Sequence, residues 1–129
     1  MTWAAICIAF LGSHVAGDFL LQTEWQALHK RGGLGRGRPA RRALAAHTLT
    51  YLVAFVPALV WLAGDIGGWA VAVAAGVALP HAVVDDGRLV RVWLRRVKRA
   101  PDALPGLVFA VDQSFHLLLL LGLAALAAR

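Results

Sequence analysis

Residues 2–23 read TWAAICIAFLGSHVAGDFLLQT, and the fold turns on whether this stretch is a leader or a membrane span. A secretory leader opens on a basic n-region and closes on a small-residue cleavage site. Neither is found here before the stretch runs into His14 and Asp18, so it is expected to remain in the mature protein as a span. Its length matches the roughly 20 apolar residues that cross a hydrocarbon core.

Three more windows of the same kind can be drawn outward from it, at about 43–64, 68–87 and 105–128. Together the four take up most of the 129 residues, which leaves a single transmembrane domain over 1–129 and no separate soluble unit. Composition agrees, with 60% hydrophobic and 16% charged residues and a mean hydropathy of +0.68, too apolar for a soluble surface. The expected fold class is all-α, an integral membrane four-helix bundle.

Basic residues accumulate on the cytoplasmic side of short connections. Lys30, Arg31, Arg36, Arg38, Arg41 and Arg42 lie in the first connection, and Arg88, Arg91, Arg95, Arg96, Lys98 and Arg99 in the third. The short second connection carries Asp65 and no base. Both termini are therefore expected outside, an N-out/C-out topology suited to a bacterial cytoplasmic membrane. Trp25 and Trp93 then mark the inner interface, and Trp3, Trp61 and Trp69 the outer one. The same bias explains the net charge of +6 without nucleic acid, which is excluded as a partner. No strand precedes the glycines of the first connection, so they are not a phosphate fingerprint.

Residues 88–99 place Arg88, Arg91, Arg95 and Arg99 at helical spacing, opposite Leu89, Val90, Trp93, Leu94 and Val97. This predicts an amphipathic helix in the inner headgroup region, between spans three and four. Beyond anchoring, Arg88, Arg91 and Arg95 are candidates to hold an anionic substrate group. Cys7 is the only cysteine, which removes disulfides and thiolate clusters and leaves it a small apolar residue.

The polar residues inside the spans are the informative ones. Of five histidines, His29 lies in a connection, while His14, His47, His81 and His116 fall one to a span. His14 and Asp18, His81 and Asp85, and Asp112 and His116 are each four apart, one helical turn. Counting about 1.5 Å per residue from the cytoplasmic ends puts Asp85 about 3 Å deep, His47 about 6 Å, His81 and Asp18 about 9 Å, Asp112 about 10 Å, and His14 and His116 about 15 Å. All seven fall in one leaflet, so antiparallel packing should gather them into one cluster opening inward.

Imidazole with carboxylate, and no thiolate, suits a divalent ion such as zinc, manganese or iron. The candidate metal ligands are His14, Asp18, His47, His81, Asp85, Asp112 and His116, as one ion with supporting partners or two ions sharing carboxylates, and Asp18, Asp85 and Asp112 are the candidate catalytic groups. Gln22, one turn past Asp18, and Gln113, beside Asp112, are candidates for substrate binding or for bonding a ligand carboxylate. Tyr51, one turn beyond His47, is expected to orient it. Asp86 projects roughly 100° from Asp85, so only one of the two should face the site. The alternative is hydrogen bonding that merely holds the bundle, but such contacts average only about 0.6 kcal/mol in membranes.

The segments HVAGDFLLQTEW, AAHTLTY, HAVVDDGR and VDQSFHLLLL resemble a group of small bacterial integral membrane proteins known only as a domain of unknown function. The resemblance spans most of the chain and implies a common site at His14, Asp18, Gln22, His47, His81, Asp85, Asp112, Gln113 and His116. It implies no activity. Members often carry a lysine shortly after the third-span acidic residue, where this chain has Asp86, Gly87 and Arg88.

Two functions follow from the sequence. One is a metal-dependent membrane enzyme of hydrolase or lyase type, acting from the cytoplasmic leaflet on an amphiphilic, lipid- or isoprenoid-like substrate, with or without a phosphate. The other is a small metal-ion or proton transporter. Polar residues confined to one leaflet favour the enzyme. Haem held by His14 and His116 is a third reading, weakened because haem ligation needs no aspartate one turn from each histidine. With 13 glycines, close packing and homo-oligomerisation are both compatible with the chain.

Overall fold

A computed structural model describes residues 1–35 and 37–128, and every regular element among them is helical. Arg36, a base of the first connection, and Arg129 lie outside the described residues. The helices are α1 (Trp3–Val15), continued by a π-helical turn (Ala16–Leu20), α2 (Glu24–His29), α3 (Arg38–Ile66), α4 (Trp69–Asp85), α5 (Arg88–Arg96) and α6 (Pro105–Ala127). Trp3–Leu20, α3 and α6 are long and apolar enough to cross a membrane, and α4 with α5 forms a fourth apolar unit bent by 59°.

Helix α1 packs on α3 and α6, and α4 packs on the same two, closing a ring in the order α1, α3, α4, α6. Large apolar side chains point outward, among them Ile8, Leu20, Val60, Val71 and Leu118, which is compatible with helices long and apolar enough to cross a membrane. Because lipid is as apolar as leucine, close packing must hold such helices together, and small residues permit it. Ala43, Ala58 and Ala124 are buried, and Gly76 lets α4 approach Leu123 of α6 so closely that a Cβ would sit 2.9 Å from Leu123 Cδ1.

Two apolar clusters bracket a polar layer. One contains Ile6, Phe10, Phe55, Leu62, Val77 and Leu120, with Tyr51 at its edge. The smaller one joins Val84 of α4, Val90 and Leu94 of α5 and Val111 of α6. Through that contact α5 is tied to the bundle, while Arg88, Arg91 and Arg95 stay exposed.

The helix boundaries depart from the sequence expectation in several places, and α5 ends at Arg96 rather than at Arg99. The first window is not one helix over 2–23, because the chain widens into the π-helical turn and then breaks before α2. A capping box starts α2: Gln26 N–H donates to Thr23 Oγ1, and Thr23 N–H donates to Gln26 Oε1. The second span begins earlier than 43, since Pro39 fits the first helical turn and α3 takes in Arg38, Arg41 and Arg42. The third window stops at Asp85 rather than 87, because Gly87 takes φ +78°, a left-handed conformation that redirects the chain into α5.

Candidate metal centre

Asp18 enters from the π-helical turn, His47 from α3, and His81 and Asp85 from α4. All four are buried, and one candidate ligand atom of each lies within 4.8 Å of the others. His47 Nε2 is 3.1 Å from Asp18 Oδ1 and 2.8 Å from Asp85 Oδ2. His81 Nε2 is 3.0 Å from Asp85 Oδ2, 3.7 Å from Asp18 Oδ1 and 3.0 Å from His47 Nε2. Bonds of about 2.0–2.2 Å give polyhedron edges from about 2.8 Å (octahedral) to about 3.6 Å (tetrahedral); all of these spacings lie in that range except that of His81 and Asp18, just above it at 3.7 Å. Only one of the two facing imidazole nitrogens can carry the proton of a hydrogen bond between them. A cation among the four atoms would satisfy all of them together.

The local backbone explains how Asp18 arrives. A π-helical turn shifts side-chain direction within a helix and recurs at functional sites. Gly17, inside that turn, lies against Tyr51, where a Cβ would come within 2.7 Å of Cδ2. The turn therefore seats α1 directly on α3. Asp18 consequently lies closer to His47, 3.1 Å away, than to His14 of its own helix, 3.8 Å away.

Both ring nitrogens of His14 are hydrogen-bonded to residues outside this group of four. Nδ1 is 2.9 Å from Tyr51 Oη and Nε2 is 2.9 Å from Gln113 Oε1. Because an amide oxygen only accepts, Nε2–H donates to Gln113 and Tyr51 O–H donates to Nδ1. Gln113 Nε2 in turn donates to Asp18 Oδ2 at 3.3 Å and Asp112 Oδ2 at 3.2 Å. A chain of bonds thus runs from Tyr51 through His14 and Gln113 to two carboxylates, the arrangement that fixes metal ligands in place. The Tyr51 ring stacks on His81 with centroids 3.5 Å apart and a 7° tilt. Its hydroxyl serves His14, not His47 as the sequence spacing predicts.

Asp85 is shared with a second group made by Asp112 and His116 of α6, again with ligand atoms within 4.8 Å of one another. His116 Nε2 lies 3.7 Å from Asp85 Oδ1, and Asp112 is half-buried.

Lys30 borders the same site. Its Nζ donates to Asp85 Oδ2 at 2.9 Å and to Gln22 Oε1. Lys30 reads in the sequence only as one of several inner-face bases, since its partner is 55 positions away. It places one lysine charge beside Asp85, whereas Asp18 and Asp112 have only histidines as ion-pair partners among the described residues.

The remaining candidates stand apart from the cluster. Asp86 does face away from Asp85, as helix geometry requires: its Oδ1 accepts Leu34 N–H at 2.8 Å and its backbone oxygen accepts Gly32 N–H at 2.9 Å. Arg88 pairs with Asp86, Nε to Oδ2, at 3.2 Å. Arg91 and Arg95 lie exposed on α5. His29, outside the spans, contacts Trp25 O.

A family model described as Protein of unknown function (DUF3307) matches residues 6–128. No curated protein and no solved structure matches the chain.

Proposed function

Since the chain belongs to the DUF3307 family, we propose a function from its site: a membrane-embedded, metal-dependent enzyme, of hydrolase type, acting on an amphiphilic substrate with an anionic, phosphorylated head. The observation that carries this reading is the convergence of Asp18, His47, His81 and Asp85 from three separate spans on one buried point. Zinc, manganese and iron all suit two imidazoles with two carboxylates. Such an ion would polarise a phosphoryl or carbonyl oxygen and lower the pKa of a bound water.

The protein's own groups complete the chemistry. Gln113 holds Asp18 and Asp112 in place through its amide, and His14 and Tyr51 hold Gln113. Lys30, paired to Asp85 and Gln22 at the partly open side, meets the anionic head, with the arginines of α5 as further counter-charge. The substrate's tails remain among membrane lipids. In the N-out/C-out topology this side opens to the cytoplasmic leaflet of a bacterial inner membrane.

An ion or proton transporter would need polar groups along a path through both leaflets. The other half of the bundle is instead packed with Ile6, Phe10, Phe55, Leu62, Val77 and Leu120, which supports the enzyme.

The test incubates purified protein with labelled isoprenoid phosphates and phospholipids, with and without a chelator, beside ion-flux measurements in reconstituted vesicles. Chelator-sensitive product lost in Asp85→Asn supports the proposal. No product across the panel together with measurable ion flux overturns it. Reporters fused near Gly35 and after residue 129 should be active inside and outside the cytoplasm respectively, and the reverse pattern would overturn the cytoplasmic opening.

A further inference from the structure

The two oxygens of Asp85 face different partners. Oδ2 lies among His47, His81 and Lys30, whereas Oδ1 faces His116 Nε2. The protonation of His116 can be worked out from its other nitrogen. Nδ1 lies 3.0 Å from the backbone oxygen of Asp112, and a carbonyl only accepts, so Nδ1 carries a proton. In the neutral ring Nε2 is then a bare lone pair. His116 is only 2% exposed, and its Nε2 has no hydrogen-bond partner among the described residues.

Two buried acceptors therefore point at each other across 3.7 Å. That is too long for an N–H···O hydrogen bond, so a second proton on the ring would not join them well. It is a suitable span for two ligand atoms each about 2.0–2.2 Å from one cation. An Nδ1–H held by a backbone carbonyl is also the usual way in which a ligating histidine is oriented. His14 offers the contrast within the same protein, because both of its nitrogens are engaged.

We infer that Asp85 bridges two divalent-cation subsites, with the second formed by Asp85 Oδ1, His116 Nε2 and the carboxylate of Asp112. This rests on the proposed first subsite at Asp18, His47, His81 and Asp85 Oδ2. Two ions sharing one carboxylate lie about 3.5–4 Å apart, the spacing that clamps the attacking and leaving oxygens of a phosphoryl displacement. With both ions and Lys30 present, positive charge exceeds that of the three carboxylates. The pair therefore selects for a hydroxide or phosphate anion over a neutral ester. The partly exposed side chain of Asp112 gives the second ion the more open position, next to incoming substrate.

The test uses the full chain in detergent, stripped with chelator and reloaded in parallel with Zn(II) and Mn(II). Ions per chain are counted by elemental analysis, and the Mn(II) form is examined by electron paramagnetic resonance. Wild type is expected to hold two ions and to show an exchange-coupled manganese pair. His116→Ala and the gentler Asp112→Asn should each fall to one ion with an uncoupled six-line spectrum, with helix content by circular dichroism unchanged. One ion in wild type, or two retained in both variants, overturns the second subsite while leaving the first in place. No ion in wild type overturns both.

Discussion

Gly17→Ala tests the packing that delivers Asp18. The added Cβ would lie 2.7 Å from Tyr51 Cδ2, 3.3 Å from Cε2 and 3.2 Å from Tyr51 Cα. The ring cannot simply swing aside, because it is stacked on His81 and its hydroxyl is bonded to His14. The backbone contact cannot be relieved by any rotamer, so α1 and α3 must separate. Overpacking of this kind costs about 1–3 kcal/mol. Gly12→Ala is the matched control, earlier on α1, where a Cβ meets nothing within 4 Å. There the substitution should stabilise by roughly 0.5–1 kcal/mol through helix propensity. The two variants should then differ by about 1.5–4 kcal/mol, or roughly 5–15 °C in melting temperature for a chain of this size. Asp18 is the next residue, so Gly17→Ala should also weaken metal binding by about 10- to 100-fold, as disturbed ligand support does. Thermal unfolding in one detergent and competition against a chromogenic chelator measure the two effects. If Gly17→Ala melts with Gly12→Ala and binds metal equally well, the seating of the π-helical turn on Tyr51 is refuted.

Metal should stabilise the fold by mass action. At a free concentration of 100 Kd the gain is about 2.7 kcal/mol, and Asp85→Asn should show little or no rise in melting temperature on adding zinc; an undiminished rise would remove Asp85 from the ligands. Tyr51→Phe deletes the hydroxyl bonded to His14 Nδ1 and should cost about 1–3 kcal/mol for the buried nitrogen left unpaired. Its bound-metal count should stay at the wild-type value, and loss of metal would make Tyr51 more than a support. Asp86→Ala frees Leu34 N–H and should speed tryptic cleavage after Arg31 without altering metal content. Unchanged cleavage would mean that Asp86 does not pin this loop.

Some of this architecture is local and therefore legible in the chain. Apolar runs of membrane length and the clustering of bases in two connections depend only on composition along the sequence. Ionisable side chains inside such runs have one low-cost destination, the bundle interior, so the sequence alone assigns His47, His81, His116, Asp18 and Asp85 inward. The i to i+4 spacings also mark pairs that do lie near one another, at 3.8 Å for His14 and Asp18, 3.0 Å for His81 and Asp85, and 3.6 Å for His116 and Asp112. The T-x-x-Q capping box of α2 is equally local, although the continuous apolar window masks it.

What helical periodicity cannot decide is which atoms face one another across helices. His47 has no carboxylate on its own helix face, yet it comes within 2.8 Å of Asp85. His14 has such a carboxylate and engages both nitrogens with Tyr51 and Gln113 instead. Lys30 reaches Asp85 from a connection 55 positions away, and the π-helical turn redirects Asp18 from its own helix toward α3. Residue spacing fixes the face of a helix to within a turn, whereas ligand geometry is set at the scale of an ångström. That scale is governed by contacts such as Gly17 on Tyr51 and Gly76 on Leu123, which exist only once distant segments have packed together.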